Sequence, residues 1–375
     1  MPPAAAAMST EQQPGVAHVG RIPVRNLWLL MLYASHLFRE LEKAKVAVEE
    51  NPDDIPDLVA EMLCRRVERR VQRNLSHGYQ PRHAVLNRVR GRIDLLYTER
   101  HRLLERGKVA CRFDELTVDT ARNRYVRNAL EEVSRIVHRS TLAHRCRSLA
   151  LSLRRMGVTG APPQRSDIAI DRFGRHDAED QPMVAAARLA MNLALPTQHS
   201  GTRLLSEPGR DLTWIYALYE KGIAGFYETV LPRHEWRVHA GKILRWQPEQ
   251  QSAGIAAILP TMKTDIVIDH LPAARRTVID TKFNTLVTRG WHRNETLRSG
   301  YLFQIYAYLR SQECMGDALA DTASGVLLHP AVGEWVQESM VIQNHEIRFC
   351  TVDLAAPARD IRKQLLHAVS AHLSD

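Results

Sequence analysis

The sequence predicts a mixed α/β fold in two parts: a basic, mainly helical N-terminal part with a small β element, and a C-terminal part organised around a sheet. Three observations predict it. The 375 residues are 45% hydrophobic, 25% charged and 6% aromatic, ordinary globular proportions, and at roughly 100–200 residues per domain two domains are expected. Charge is uneven, because residues 61–160 hold 23 Lys or Arg against 10 Asp or Glu, a local +13 that leaves the rest of the chain at −4 within a net charge of +9. From about residue 211 the pattern becomes helix, three strands, helix, strand, an order that makes a sheet the scaffold.

Residues 1–19 read as a disordered tail, without the basic and apolar regions of a signal peptide. IPVRNLWLLMLYASHLF (22–38) predicts an apolar amphipathic helix and Asp57 to Leu75 a second. Residues 89–104 and the following GKVACRFDELTV alternate as strands around a Gly-Lys turn at 107–108. Thr120–Arg139, Leu142–Met156 and Pro182–Leu195 predict helices, and PTQHSGTRLLSEPGRD (196–211) a linker, which puts domains at 20–200 and 201–375. Beyond it come a helix over 212–231, strands over 236–246, 262–269 and 277–283, and a helix over 296–311. The buried strand GVLLHP (325–330), two further strands and a last helix over 358–373 complete the chain.

Several classes are excluded early. No apolar run approaches the ~20 residues that span a bilayer. The five cysteines are scattered, with no CxxC pair, which fits a reducing cytoplasm rather than a disulfide framework or zinc knuckle. Histidine chemistry is set aside, because no HExxH occurs among the 17 His. Arginine outnumbers lysine 43 to 8, and Arg65, Arg66, Arg69, Arg70 and Arg73 stack at i, i+4 spacing along one predicted helix. Such stacking destabilises a helix unless an anion or acidic group relieves it. The face is therefore either a solvated surface or a phosphate- or protein-docking one.

The middle strands carry the chemistry. KTDIVID places Asp265, Val267 and Asp269 on one face, and TVIDTKF places Val278, Asp280 and Lys282 on one face. A hairpin closing on HLPAAR (270–275) opposes 269 with 276 and, counting back, 265 with 280. Opposed residues have Cβ atoms ~4.5–5.5 Å apart. Two carboxylates so opposed repel unless a divalent cation lies between them, and oxygen-only ligands favour Mg²⁺ or Mn²⁺. Lys282 reaches the same spot, to hold an attacking water or stabilise charge on a phosphate. The competing reading is a surface hairpin with a cross-strand Lys–Asp pair. Glu220, on the preceding helix, is a further candidate carboxylate, or a solvated residue beside Lys221. Gln304 and Tyr308 share a helix face, where the glutamine could bond a DNA phosphate or brace the lysine.

The layout Asp265…Asp280-x-Lys282…Gln304-x-x-x-Tyr308 resembles the PD-(D/E)xK nuclease superfamily, whose core runs α-β-β-β-α-β. IPVRNLWLLMLYA (22–34), RGRIDL (90–95), FDELTVDTARNR (113–124), LPTMKTDIVI (259–268), VIDTKF (278–283), SGYLFQIYAYL (299–309) and GVLLHP more narrowly resemble the McrC family. Thr264 stands where the superfamily pattern has Pro. The resemblance implies the nuclease subunit of a McrBC-type, modification-dependent restriction system, part of the defence against foreign DNA. It would act as a Mg²⁺-dependent DNA endonuclease with metal ligands Asp265 and Asp280, and Lys282, Gln304 and Glu220 as the other site residues. It also implies an AAA+ NTPase partner, a GTPase in the best-known system, that the N-terminal part enters and stimulates, and dimerisation of the complex so that both strands of modified duplex DNA are cut. The chain itself has no GxxxxGK[ST]. Arg25, Arg90 and Arg92 are candidates to aid hydrolysis in the partner, with structural ion pairing as the alternative. Two rival functions remain: a catalytically silent nuclease-fold adaptor that activates the NTPase, and a plain basic nucleic-acid-binding protein.

Overall fold

The computed structural model describes residues 18–19, 21–35, 37–38, 51–164, 178, 180–199, 213–283, 287–288, 296–331 and 335–370. The chain divides into two compact units, one formed by residues 1–55 and 195–375 and the other by 56–194. The expected tail lies, apart from His18 and Val19, outside the described residues. So does the expected linker, apart from 196–199.

The first unit begins with a short ladder, β1 (His18–Val19) and β2 (Ile22–Pro23), that feeds α1 (Val24–Tyr33). Every residue of α1 except Arg25 is buried. The apolar helix expected over 22–38 is thus present but shorter, and it is buried nearly all round rather than amphipathic, as suits a helix apolar on every face.

The second unit opens with α2 (Ile55–Gln72). A three-stranded antiparallel sheet follows, with β5 (Val109–Thr117) between β3 (Gly78–Leu86) and β4 (Arg92–Ile93). Here the expectation of strands across 89–104 fails. Asp94 accepts from the Tyr97 amide at 3.1 Å and caps a helix, α3 (Leu95–Arg100), so the alternation there is overridden. Helices α4 (Ala121–Val133), whose Thr120 caps the Asn123 amide, α5 (Ser140–Arg155) and α6 (Asp180–His199) follow. Three of the five stacked arginines of α2 find partners within the unit: Arg65 pairs with Glu61 at 2.6 Å, Arg66 donates to the Pro182 carbonyl, and Arg70 meets the buried Asp180 at 2.5 Å.

The first unit resumes with α7 (Thr213–Val230), β6 (Trp236–Ala240) and the short pair β7 (Ile243–Leu244) and β8 (Met262–Lys263). Next come β9 (Ile266–His270), β10 (Arg275–Thr281), the pair β11 (Val287–Thr288) and β12 (Thr296–Leu297), and α8 (Ser299–Arg310). After α9 (Ala318–Asp321), β13 (Ser324–Ala331), β14 (Gln337–Ile342), β15 (His345–Asp353) and α10 (Ala358–Ser370) complete it. The sheet has six strands in the order β14-β15-β13-β10-β9-β6, with β10, β13 and β15 parallel and the rest antiparallel. Helix, three strands, helix, strand is the order the sequence predicted.

Both sheet faces are covered. Val267, Val278, Leu327, Ile347 and Phe349 pack on Ile305, Tyr308 and Leu309 of α8. On the opposite face Phe283 meets Tyr216 and Tyr219 of α7, and Tyr227 of α7 donates to the Leu365 carbonyl of α10 at 2.8 Å. Helix α1 lies against α7 at Gly222 and Gly225, where a Cβ on Gly225 would stand 1.9 Å from the Tyr33 carbonyl oxygen. Asn26 donates to the Leu354 and Ala356 carbonyls at 2.7 and 3.0 Å. These contacts join α1 to the sheet unit, to which the division of the chain also assigns it, whereas the sequence placed it in a domain over 20–200. Among the described residues no helix is long and apolar enough to cross a membrane.

Candidate active site

The hairpin register is the one counted from the sequence, with Asp269 opposite Arg276 and Ile266 opposite Ile279. Extending it by one step opposes Asp265 with Asp280. Asp265 itself sits just outside the ladder, in the gap between β8 and β9. Its Oδ2 accepts from the Thr281 amide at 2.7 Å and from the Thr281 hydroxyl at 2.8 Å. The Asp265 carboxylate therefore lies against the peptide that joins Asp280 to Thr281. Its Oδ1 makes no hydrogen bond among the described residues.

Asp280, in the middle of the sheet, has a side chain with no solvent exposure. Lys282 Nζ hydrogen-bonds its Oδ1 at 3.0 Å and stands 2.9 Å from Oδ2, outside hydrogen-bonding alignment. Oδ2 is thus buried with no hydrogen bond among the described residues. Burial pushes the Asp280 carboxyl up to about 6, with Lys282 pulling it down and Asp265 and Glu220 adding to the rise. Burial alone would lower the Lys282 amine, but Asp280 and Asp265 outweigh it and the net shift is upward. Lys282 is accordingly a cation at neutral pH, a donor and not a base.

Glu220 lines a cleft with Tyr216, Tyr219, Thr281, Lys282 and Phe283. It is not the solvated helical residue of the alternative reading: burial first, then the Asp265 charge, raises its carboxyl. Among the described residues no group of three His, Cys, Asp or Glu gathers to hold a metal, so Glu220 does not complete a three-carboxylate cage. Gln304 does not reach the lysine. Its amide donates to the Tyr308 hydroxyl at 2.6 Å, and that hydroxyl donates to the Lys263 carbonyl at 2.8 Å. The pair ties α8 to the backbone two residues before Asp265. It is Tyr301, not Gln304, whose ring lies 5.4 Å from Lys282 Nζ.

Two residues of this neighbourhood escaped the sequence reading. Thr281 holds Asp265, a role that follows only from the break before β9. His329, fully buried next to Lys282 in the parallel register of β10 and β13, has its ring 5.8 Å from Tyr301. The period-2 rule puts it on the face of Leu327 and Asp280, a signal present in GVLLHP. Arg25 lies 4.0 Å from Asp53, and Arg90 lies 3.7 Å from Glu115 and 4.1 Å over the Phe113 ring. Arg92 is exposed and makes no ion pair among the described residues.

The donor set fits a hard divalent cation. A buried carboxylate oxygen without a hydrogen bond and a second carboxylate beside it with an uncommitted oxygen match the preference of Mg²⁺ for one or two carboxylates completed by water and phosphate.

A mixed sheet presenting a carboxylate pair and a lysine at the ends of neighbouring strands is thus what the fold defines. The family model described as "McrBC 5-methylcytosine restriction system component" matches residues 8–320, and the chain belongs to that family. It is a component of a McrBC-type restriction system. Over 360 residues it is 25% identical to the "Type IV methyl-directed restriction enzyme EcoKMcrBC" of Escherichia coli (strain K12), covering 94% of this chain and 98% of the relative. Two solved structures from Thermococcus gammatolerans also align. One is a refined half-complex of McrB AAA+ hexamers with bound McrC, at 15% identity and TM-score 0.38 over 84% of this chain and 68% of that one. The other is a McrBC complex, at 16% identity and TM-score 0.32 over 49% and 59%.

Proposed function

We propose that the chain is the DNA endonuclease subunit of its restriction complex and hydrolyses phosphodiester bonds with Mg²⁺, or Mn²⁺, held by Asp265 and Asp280. The observation that carries this reading is the buried Asp280 Oδ2, which accepts no hydrogen bond although a lysine and a second carboxylate lie beside it. A fold tolerates such an atom where a ligand completes it. Bound there, the cation would polarise the scissile phosphate and lower the pKa of a coordinated water. Thr281 fixes the Asp265 carboxylate with two hydrogen bonds. Lys282, charged and anchored on Asp280, orients the attacking water by donation and offsets charge that grows on the phosphate. Tyr308, braced by Gln304, holds the backbone that presents Asp265. Glu220, at the cleft wall, is a carboxylate for outer-sphere water.

The partner in this reading is a AAA+ NTPase ring of the kind named in the solved McrB–McrC assembly. The unit of residues 56–194 would dock on it and stimulate hydrolysis, with Arg92 the arginine most available to do so. The DNA would be modified duplex recognised by the partner, and paired complexes would cut both strands in the cytoplasm. The test is cleavage of modified duplex DNA by wild type and Asp280→Ala, with partner, GTP and Mg²⁺. Wild type is expected to cut and the variant not. Equal cutting by both would remove the site assignment, and no cutting by either would favour the silent adaptor.

A further inference from the structure

The cleft beside Lys282 has features that phosphate hydrolysis alone does not require. It measures about 410 Å³ and is walled by Tyr216, Tyr219 and Phe283, with Glu220 and Lys282 on its polar side. Its aromatic wall is built from the inside out. Tyr219 is 1% exposed and meets Phe283 edge-on at 5.6 Å, and Phe283 in turn backs Tyr216 at 5.1 Å. Tyr216, the outermost ring, is 43% exposed. A lone exposed tyrosine means little. One supported by two further rings is held in place, so little side-chain freedom is lost when a flat ligand lies on it. Lys282 also lines this cleft, while its amine is bound to Asp280 next to it, so a phosphate held at that pair and a flat group in the cleft would be neighbouring parts of one molecule. Glu220 makes no hydrogen bond among the described residues and is available as an acceptor.

We propose that this cleft receives a nucleobase of the DNA strand whose phosphate lies at Asp265, Asp280 and Lys282, stacked on Tyr216. This rests on the nuclease reading and deepens it: the cut strand would be locally unstacked, with one base turned towards α7. Aromatic platforms of this kind hold single-stranded segments without reading their sequence, because every base offers a π face. Tyr216 touches neither carboxylate nor lysine, so it positions the strand and takes no part in the chemistry.

The experiment is a binding measurement on the full chain, with Ca²⁺ in place of Mg²⁺. The probes are a fluorescent dT 12-mer and an abasic 12-mer of the same charge. Wild type is expected to bind the base-bearing strand about tenfold more tightly. Tyr216→Ala is expected to lose that preference and Tyr216→Phe to keep it, with unchanged melting temperatures reporting intact folds. Tyr216→Ala binding the dT 12-mer as tightly as wild type would overturn the proposal, as would equal affinity of wild type for the two probes. Because no cleavage is read, the outcome stands apart from the Asp280→Ala cutting assay. Loss of base preference with unaltered cutting by Asp280→Ala would support the cleft and remove the metal site, and the reverse pattern would do the opposite.

Discussion

Replacing Asp280 by Asn should abolish cleavage and yet stabilise the metal-free protein. Asp280 is wholly buried, and its carboxyl is pushed up to about 6 from an ordinary 3.8. A carboxyl raised on folding favours the folded state while it stays protonated, and that advantage disappears as pH rises through the folded pKa. Below about pH 4 wild type and variant should therefore be similarly stable. Between about 4 and 6 wild type should lose about 1.4 kcal/mol per pH unit relative to the variant, and above about 6 the gap should level off near ~3 kcal/mol. Lys282 loses its anion in the variant, which takes back part of the gain, so ~1–3 kcal/mol is expected at neutral pH. Urea unfolding of both proteins in EDTA, from about pH 4 to 8, reads this directly. Added Mg²⁺ should then raise the stability of wild type alone, by mass action. A gap independent of pH, or a variant no more stable than wild type at neutral pH, would refute the burial argument.

Other outcomes follow from the same geometry. Lys282→Met removes the charge that pulls Asp280 down, so the pH range over which stability falls should move upward in the same titration, and cleavage should be lost. Asp180→Asn leaves Arg70 and Arg122, which meet its buried carboxylate at 2.5 and 2.8 Å, without their anion. It should cost about 3–5 kcal/mol of stability in denaturant unfolding. Gly225→Ala, whose Cβ would collide with the Tyr33 carbonyl, should unfold the sheet unit or lower its melting temperature sharply. Gly300→Ala in α8, with nothing within 4 Å, should be neutral or stabilising by about 0.5–1 kcal/mol in the same scan.

Much of the candidate site's geometry was legible because a hairpin is a local object. The loop after Asp269 sets the register, the register opposes 265 with 280, and the period of 2 sends Lys282 to the same face as Asp280. What escaped depended on distant contacts. That α1 packs on α7 follows from two glycines nearly 200 residues away, which local hydrophobic periodicity cannot reveal. Strand β3, with Pro81 and an exposed face, lacked an alternating pattern and is recognisable only by its pairing with β5. In 95–100 a single capping carboxylate, Asp94, decided for helix against the alternation. Gln304 and Tyr308 were placed on one face correctly, but their object, the Lys263 carbonyl, lies across the fold.

Whether Asp265 and Asp280 share one cation is read from an anomalous diffraction map of crystals of the protein soaked in Mn²⁺. A peak is expected between the Asp265 and Asp280 carboxylates, lost in Asp280→Asn. Manganese bound elsewhere, with the space between these two carboxylates empty in protein that cuts DNA, would contradict it.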